Sequence, residues 1–147
     1  LVEETVSLPE RPLRFSVIGE GGKLPSQTTT TLAVVITELL QNAVDHGYRE
    51  SLMVTEENSG NVTIEIDRKP DSLSVRVVDD GIGLPDQFEI ETSQGLGLTI
   101  VRTFVETELD GVLTLKPAGK GSGTVAEVQI PSNRLLGPWD DAQEPEV

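Results

Sequence analysis

The sequence predicts an α+β fold, a two-layer arrangement in which helices cover one face of a single mixed, mainly antiparallel sheet. Two segments place apolar residues at helical spacing, several others alternate apolar and polar residues with the period of a half-buried strand, and the strand-like segments join through short turns into hairpins. Helices and hairpins in this order make a layered α+β domain. At 147 residues without cysteine, the chain is the size of one domain with a core that needs no disulfide or metal staple.

Val2 to Leu8 and Leu13 to Ile18 read as two strands separated by Pro9 and Pro12, with Phe15 and Val17 alternating against Arg14 and Ser16. Gly19, Gly21 and Gly22 break that pattern. Past Pro25, Ser26 and Thr28 to Thr31 offer helix caps. Leu32, Val35, Ile36, Leu39, Leu40, Ala43 and Val44 then form the buried stripe of a helix that Gly47 stops. Residues 50–61 are polar and read as a loop or a frayed helix end.

Val62, Ile64 and Ile66 alternate with Thr63, Glu65 and Asp67, a Lys69-Pro70-Asp71-Ser72 turn follows, and Leu73, Val75 and Val77 complete an antiparallel hairpin ending at Asp79. Pro85 to Gln94 lacks an apolar period and lies between two glycine clusters, as a mobile cover over a ligand would. From Gly97, the residues Leu98, Val101, Phe104 and Val105 mark a second amphipathic helix. Strands follow at Val112 to Lys116 and Thr124 to Ile130, joined by Gly119, Gly121 and Gly123. The domain is thus expected over residues 1–131, with its core at about 15–130, and an acidic, irregular tail over 132–147 for which Trp139 is the anchor.

A net charge of −14 repels nucleic acid and anionic membrane surfaces, so direct contact with either is not expected. No apolar run approaches the roughly 20 residues that span a bilayer, and the lack of cysteine suits a reducing cytoplasm. Because the chain opens on Leu1 and not on methionine, it reads as a piece of something larger.

Three stretches carry chemistry. Glu38 and Asn42 are one helical turn apart, beside the apolar stripe, with Asp45 one turn further. Magnesium takes oxygen ligands and keeps water and phosphate oxygens, so Asn42 can offer it one neutral oxygen while Glu38 holds a metal-bound water or accepts a proton. A solvated polar face is the alternative for this helix taken alone. Asp79 closes a strand and is followed by Gly81 and Gly83, which lets backbone approach a flat ring while the carboxylate accepts from an exocyclic amine such as adenine's. An ordinary Asp-Gly turn would look the same. Gly95-Leu96-Gly97-Leu98 opens the second helix, where unpaired N–H groups and the helix dipole favour phosphate. No GxxxxGK[ST] element occurs and the dinucleotide spacing is incomplete, so P-loop and Rossmann readings fail.

Taken together, these residues resemble the ATP-binding domain of the GHKL superfamily, which includes gyrase, the Hsp90 chaperones, MutL and histidine kinases. Glu38-x-x-x-Asn42 is similar to the N box, Asp79-x-Gly81-x-Gly83 to the G1 box, Gly95-x-Gly97 to the G2 box and Gly123-Thr124 to the last glycine-threonine element. The resemblance runs from about Phe15 to Ile130. It implies the Bergerat α/β sandwich, ATP and Mg2+ as cofactors, magnesium on Asn42, adenine read by Asp79 with help from Thr124 through water, and an ATP lid from Leu84 to Gln94.

The phrases ITELLQNAVDHGY and SQGLGLTIVRTFVETELDG resemble sensor histidine kinases, most closely a soluble actinobacterial branch of the PdtaS type. That resemblance implies a catalytic domain that donates the γ-phosphate to a histidine on a separate helical dimerisation domain, for transfer to a response regulator. In this branch the regulator is typically an RNA-binding antitermination protein. Departures from the pattern are Asp45, where many kinases carry a phosphate-touching Lys or Arg, and Ser93 in place of the first G2 glycine. Arg49, Lys69 and Lys120 are candidates for the missing cation, and Phe88 is a loose candidate for the F box. His46, the only histidine, is read as a ring beside adenine or a plain helix-end residue, not as the phosphoacceptor, which is expected upstream together with the helices that would make a dimer. An anti-sigma-factor serine kinase and a nucleotide-sensing module without transfer are the competing readings, and a gyrase-like ATPase stands behind them.

Overall fold

A computed structural model describes residues 2–8, 11–47, 60–81, 96–118 and 123–136. The elements are β1 (Val2–Leu8), β2 (Arg11–Ile18), α1 (Ser26–Gly47), β3 (Gly60–Lys69), β4 (Ser72–Asp79), α2 (Leu96–Glu108), β5 (Val112–Pro117) and β6 (Thr124–Pro131). They build a six-stranded sheet in the order β1-β2-β3-β4-β6-β5. Four of its neighbouring pairs are antiparallel, while β2 and β3 are parallel. The parallel pair follows from connectivity: a parallel neighbour needs a long crossover, and α1 is the element between β2 and β3.

Register decides which residues meet the helices. Val75 stands opposite Ile66 on β3 and Val128 on β6, and Asp79 stands opposite Val62 and Thr124. Side chains alternate across a strand, so this register gathers Val62, Leu73, Val75, Val77, Ala126, Val128 and Ile130 on one buried face. Leu32, Val35, Leu39 and Ala43 of α1 and Val101 and Val105 of α2 close over it. The opposite face carries polar partners, with Arg76 paired to Glu65 across the β3–β4 ladder and the Ser74 hydroxyl donating to Glu127 at 3.3 Å.

The helices run antiparallel to each other. Gln27 at the start of α1 reaches Glu108 at the end of α2, and Asn42 near the end of α1 faces Gly97 at the start of α2. Phe104, expected in the core, is 36% exposed. Helical spacing puts it in the row of Gly97 and Glu108, at the edge of the apolar stripe, and Leu109 just past the helix takes the core position on the Val101–Val105 row instead.

Regular structure also continues past the expected boundary at 131. Ser132–Arg134 form one 3-10 turn, and Leu135 is 1% exposed within the core. The Thr28 hydroxyl, buried at the start of α1, donates to the Arg134 carbonyl at 2.7 Å. The Arg134 guanidinium and the Asn133 amide both donate to Asp110 Oδ2, at 2.8 and 3.0 Å, which holds the Asp110 carboxyl below its ordinary range. The segment therefore ties the start of α1 to the loop after α2. Trp139, the expected anchor, lies outside the described residues. Among those residues, no helix is long and apolar enough to cross a membrane.

Candidate functional site

Glu38 and Asn42 are half-buried on one side of α1, where the antiparallel crossing brings the first turn of α2 against them. A Cβ placed on Gly97 would stand 3.5 Å from Asn42 Oδ1, 3.7 Å from Asn42 Nδ2 and 3.7 Å from Glu38 Oε2. Any side chain there, a methyl included, would occupy the gap. The first N–H groups of a helix have no intrahelical acceptor and carry the positive end of its dipole, so this gap is bordered by an amide, a carboxylate and amide donors. Asn42 Nδ2 is buried with no hydrogen-bond partner. An unmet buried donor costs about 1–3 kcal/mol; an acceptor such as a phosphate oxygen would complete this one and leave Oδ1 for a cation.

The donor set fits a hard cation that arrives with its own oxygens. Among the described residues no three His, Asp or Glu side chains gather to cage a metal. Magnesium usually takes one or two protein groups and fills its octahedron with water and phosphate oxygens, which matches Asn42 Oδ1 backed by Glu38.

Asp79 ends β4 on the face toward the helices and is 6% exposed. Its Oδ1 accepts the Gly81 N–H at 2.9 Å, and the Thr124 N–H also supports the carboxylate. Burial pushes its pKa above the ordinary carboxylate value, the Gly81 bond pulls against that, the neighbouring Asp80 charge raises it again, and the Thr124 bond lowers it. The net direction is upward. Gly123 lets β6 start this close: its φ is +122°, and a Cβ there would overlap the Asp79 carbonyl oxygen. A carboxylate can accept about four hydrogen bonds, so Asp79 retains capacity for a ligand's donor.

The remaining expected residues divide. Asp45 is exposed, and the Gln41 amide donates to both of its oxygens at 3.0 Å, so its carboxylate is engaged along α1. Leu98 packs against the core, and Leu96 heads α2. Lys69 sits at the turn of the β3–β4 hairpin, paired with Asp67 at 3.9 Å, while Asp79 lies at the other end of the same hairpin. Seven residue steps at the strand rise put about 23 Å between the two ends, which removes Lys69 as a cation for this site. The backbone of His46 belongs to the last turn of α1, but its side chain is outside the description. Gly83, Gly95, Ser93, Phe88, Arg49, Lys120 and the expected lid from Leu84 to Gln94 also fall outside the described residues.

One pair went unnoticed in the sequence. The Asn61 N–H donates to Asp80 Oδ1 and its Nδ2 to Asp80 Oδ2, each at 2.9 Å. Register was the available signal: once Val62 faces Asp79, Asn61 must face Asp80.

A mixed sheet that carries both helices on one face, with an acidic strand end beside a glycine-led helix, is the α/β sandwich of the GHKL ATPases. The chain belongs to the histidine kinase-, DNA gyrase B- and HSP90-like ATPase family, whose model matches residues 27–134. It is similar to the sensor histidine kinase PdtaS of Mycobacterium tuberculosis, with 42% identity over 129 residues, 88% of this chain and 25% of that protein. The chain thus spans about a quarter of the length of this curated relative. Among solved structures, the histidine kinase domain of the Erythrobacter litoralis EL346 blue-light activated histidine kinase matches with a TM-score of 0.66 and 26% identity, covering 82% of this chain and 55% of that one. The catalytic domain of histidine kinase ThkA shares the fold, with a TM-score of 0.63 at 21% identity over 82% of this chain and 80% of that one.

Proposed function

We propose that this chain is the Mg-ATP-binding catalytic domain of a cytoplasmic sensor histidine kinase, donating the γ-phosphate to a histidine on a separate helical domain of its parent, for onward transfer to a response regulator. The observation that carries the reading is the unpartnered Asn42 amide set with Glu38 against Gly97 at the head of α2. Asp79 accepts the adenine amine, with Thr124 beside it in register, and Gly81 lets the base come close to the backbone. The first N–H groups of α2, from Leu96 through Leu98, receive phosphate oxygens. Asn42 holds magnesium, which neutralises phosphate charge and orients the leaving group when bound. Glu38 polarises the acceptor imidazole as it attacks. Transfer of this kind depends on positioning and charge neutralisation, which a half-open site between two helices and a strand end can supply. The final acceptor in this reading is a response regulator, of the RNA-binding antitermination kind that the sequence resemblance implies.

The test supplies the acceptor helices of the parent protein in trans with γ-labelled ATP. Acid-labile label on histidine supports the reading. Acid-stable label on serine would move the assignment to an anti-sigma-type kinase, and saturable ATP binding with no label transferred would move it to a sensing module.

A further inference from the structure

Asp80 lies next to the residue proposed to read adenine but points the other way. Consecutive side chains at a strand end alternate, so Asp79 turns toward the helices and Asp80 toward the open face of the sheet. There Asp80 is gripped from three sides by one residue. The Asn61 N–H donates to its Oδ1 at 2.9 Å, the Asn61 Nδ2 to its Oδ2 at 2.9 Å, and the Asp80 N–H returns a bond to the Asn61 carbonyl at 3.3 Å. The next N–H in the chain, that of Gly81, folds back onto Asp79 Oδ1 at 2.9 Å.

These bonds share one piece of backbone. Beyond Asp79 the strand ends, and the direction of the Gly81 N–H depends on the peptide planes on either side of Asp80. With its side chain forked onto Asn61 at the start of β3, Asp80 cannot swing, and the Gly81 N–H is held toward the carboxylate it orients. A bidentate grip fixes orientation as well as distance. We infer that Asp80 and Asn61 are positioning residues for base recognition: their forked pair on the open face of the sheet aims the Asp79 carboxylate on the other face. The inference rests on the adenine-reading role proposed for Asp79. It makes adenine selectivity depend on two residues that never touch the nucleotide.

The discriminating readout is a ratio of affinities. ATP and purine riboside triphosphate differ by the exocyclic amine alone, so the ratio of their dissociation constants, measured by calorimetry on the folded chain with magnesium, isolates the bond that Asp79 makes. A merely structural role for Asp80 would weaken both ligands together. The Asp80→Ala variant is expected to weaken ATP about tenfold and purine riboside triphosphate less than about twofold, the size of one charge-assisted hydrogen bond lost or misaimed. The Asp80→Asn variant is expected to restore the ratio, because its amide can accept from the Asn61 N–H and, with the Asn61 amide turned over, donate to the Asn61 oxygen. If Asp80→Ala does not fold, Asn61→Ala removes one arm of the grip and leaves the main-chain arm, and it should lower the ratio by a smaller factor. An unchanged ratio in a folded Asp80→Ala or Asn61→Ala variant, with wild type preferring ATP, overturns the positioning role and leaves the Asp79 reading intact. A wild-type protein that binds both triphosphates equally overturns both. One that binds neither removes the nucleotide site altogether.

Discussion

Replacing Gly97 with alanine should make the protein more stable and a worse ligand for phosphate at the same time. Gly97 is the second residue of α2, and its φ lies outside the left-handed region, so alanine fits the backbone. A glycine inside a helix costs roughly 0.5–1 kcal/mol against alanine. The methyl would meet Asn42 and Glu38 atoms at 3.5 to 3.7 Å, ordinary contact distance, so no clash subtracts from that gain. For a chain of this size, about 0.5–1 kcal/mol corresponds to a rise in melting temperature of about 1–4 °C. The same methyl fills the gap that phosphate oxygens need in order to reach the α2 amides. Losing one charge-assisted hydrogen bond there costs about 1.5–3 kcal/mol, or roughly 10- to 150-fold in dissociation constant. Thermal unfolding of the free protein reads the first effect, and titration with a magnesium-bound non-hydrolysable ATP analogue reads the second. Adenosine, which carries no phosphate, should bind the variant as it binds wild type. Analogue affinity within threefold of wild type, in a folded variant with a raised melting temperature, would refute the amide cradle.

Three further substitutions test other parts of the site and fold. Asn42→Ala deletes a buried amide nitrogen that has no partner, so the free protein should keep or gain melting temperature while the magnesium dependence of nucleotide binding disappears; a titration still dependent on magnesium contradicts the metal role. Asp79→Asn should weaken ATP by about 1–3 kcal/mol and stabilise the free protein at neutral pH. The sign follows from the raised pKa: the fold binds the Asp79 proton more tightly than the unfolded chain does, so the stability contributed by the protonated form is full below the ordinary value of 3.8 and is lost as pH rises through the folded value. The advantage of Asp79→Asn should therefore shrink as pH falls through that window toward 3.8, and melting curves showing a pH-independent difference would contradict it. Leu135→Ala removes a buried side chain beyond the last strand and should cost about 2–5 kcal/mol, measured by urea unfolding, with nucleotide affinity of the folded fraction unchanged.

The elements were largely legible because periodicity reports burial. The α1 stripe from Leu32 to Val44 and the alternation from Val62 to Val77 each name the face that meets the other layer, and the family match confirms the sandwich they imply. Phe104 misled for a physical reason: its spacing from Val101 is helical, but it sits at the edge of the apolar stripe, and hydropathy does not tell a covered edge from an exposed one. Leu135 was missed because an isolated Leu-Leu pair in a polar stretch carries no period; its neighbours in the chain are held by Thr28 and Asp110, far away in sequence. In the candidate site, the Glu38–Asn42 spacing predicts a shared helical face, but only the crossing of α1 and α2 sets that face against Gly97. The Asn61–Asp80 fork depends on strand register, which is a property of pairs and invisible in either strand alone.

Asp79 and Thr124 belong to one hydrogen-bonded ladder, whereas Glu38, Asn42 and Gly97 ride on two helices that pack over that ladder's apolar face. The first pair is set by strand register; the second group is set by how the helical layer packs on the sheet. A substitution in the apolar seam between the layers, far from either end of the cleft, would therefore change the span across it while leaving each end's own geometry intact.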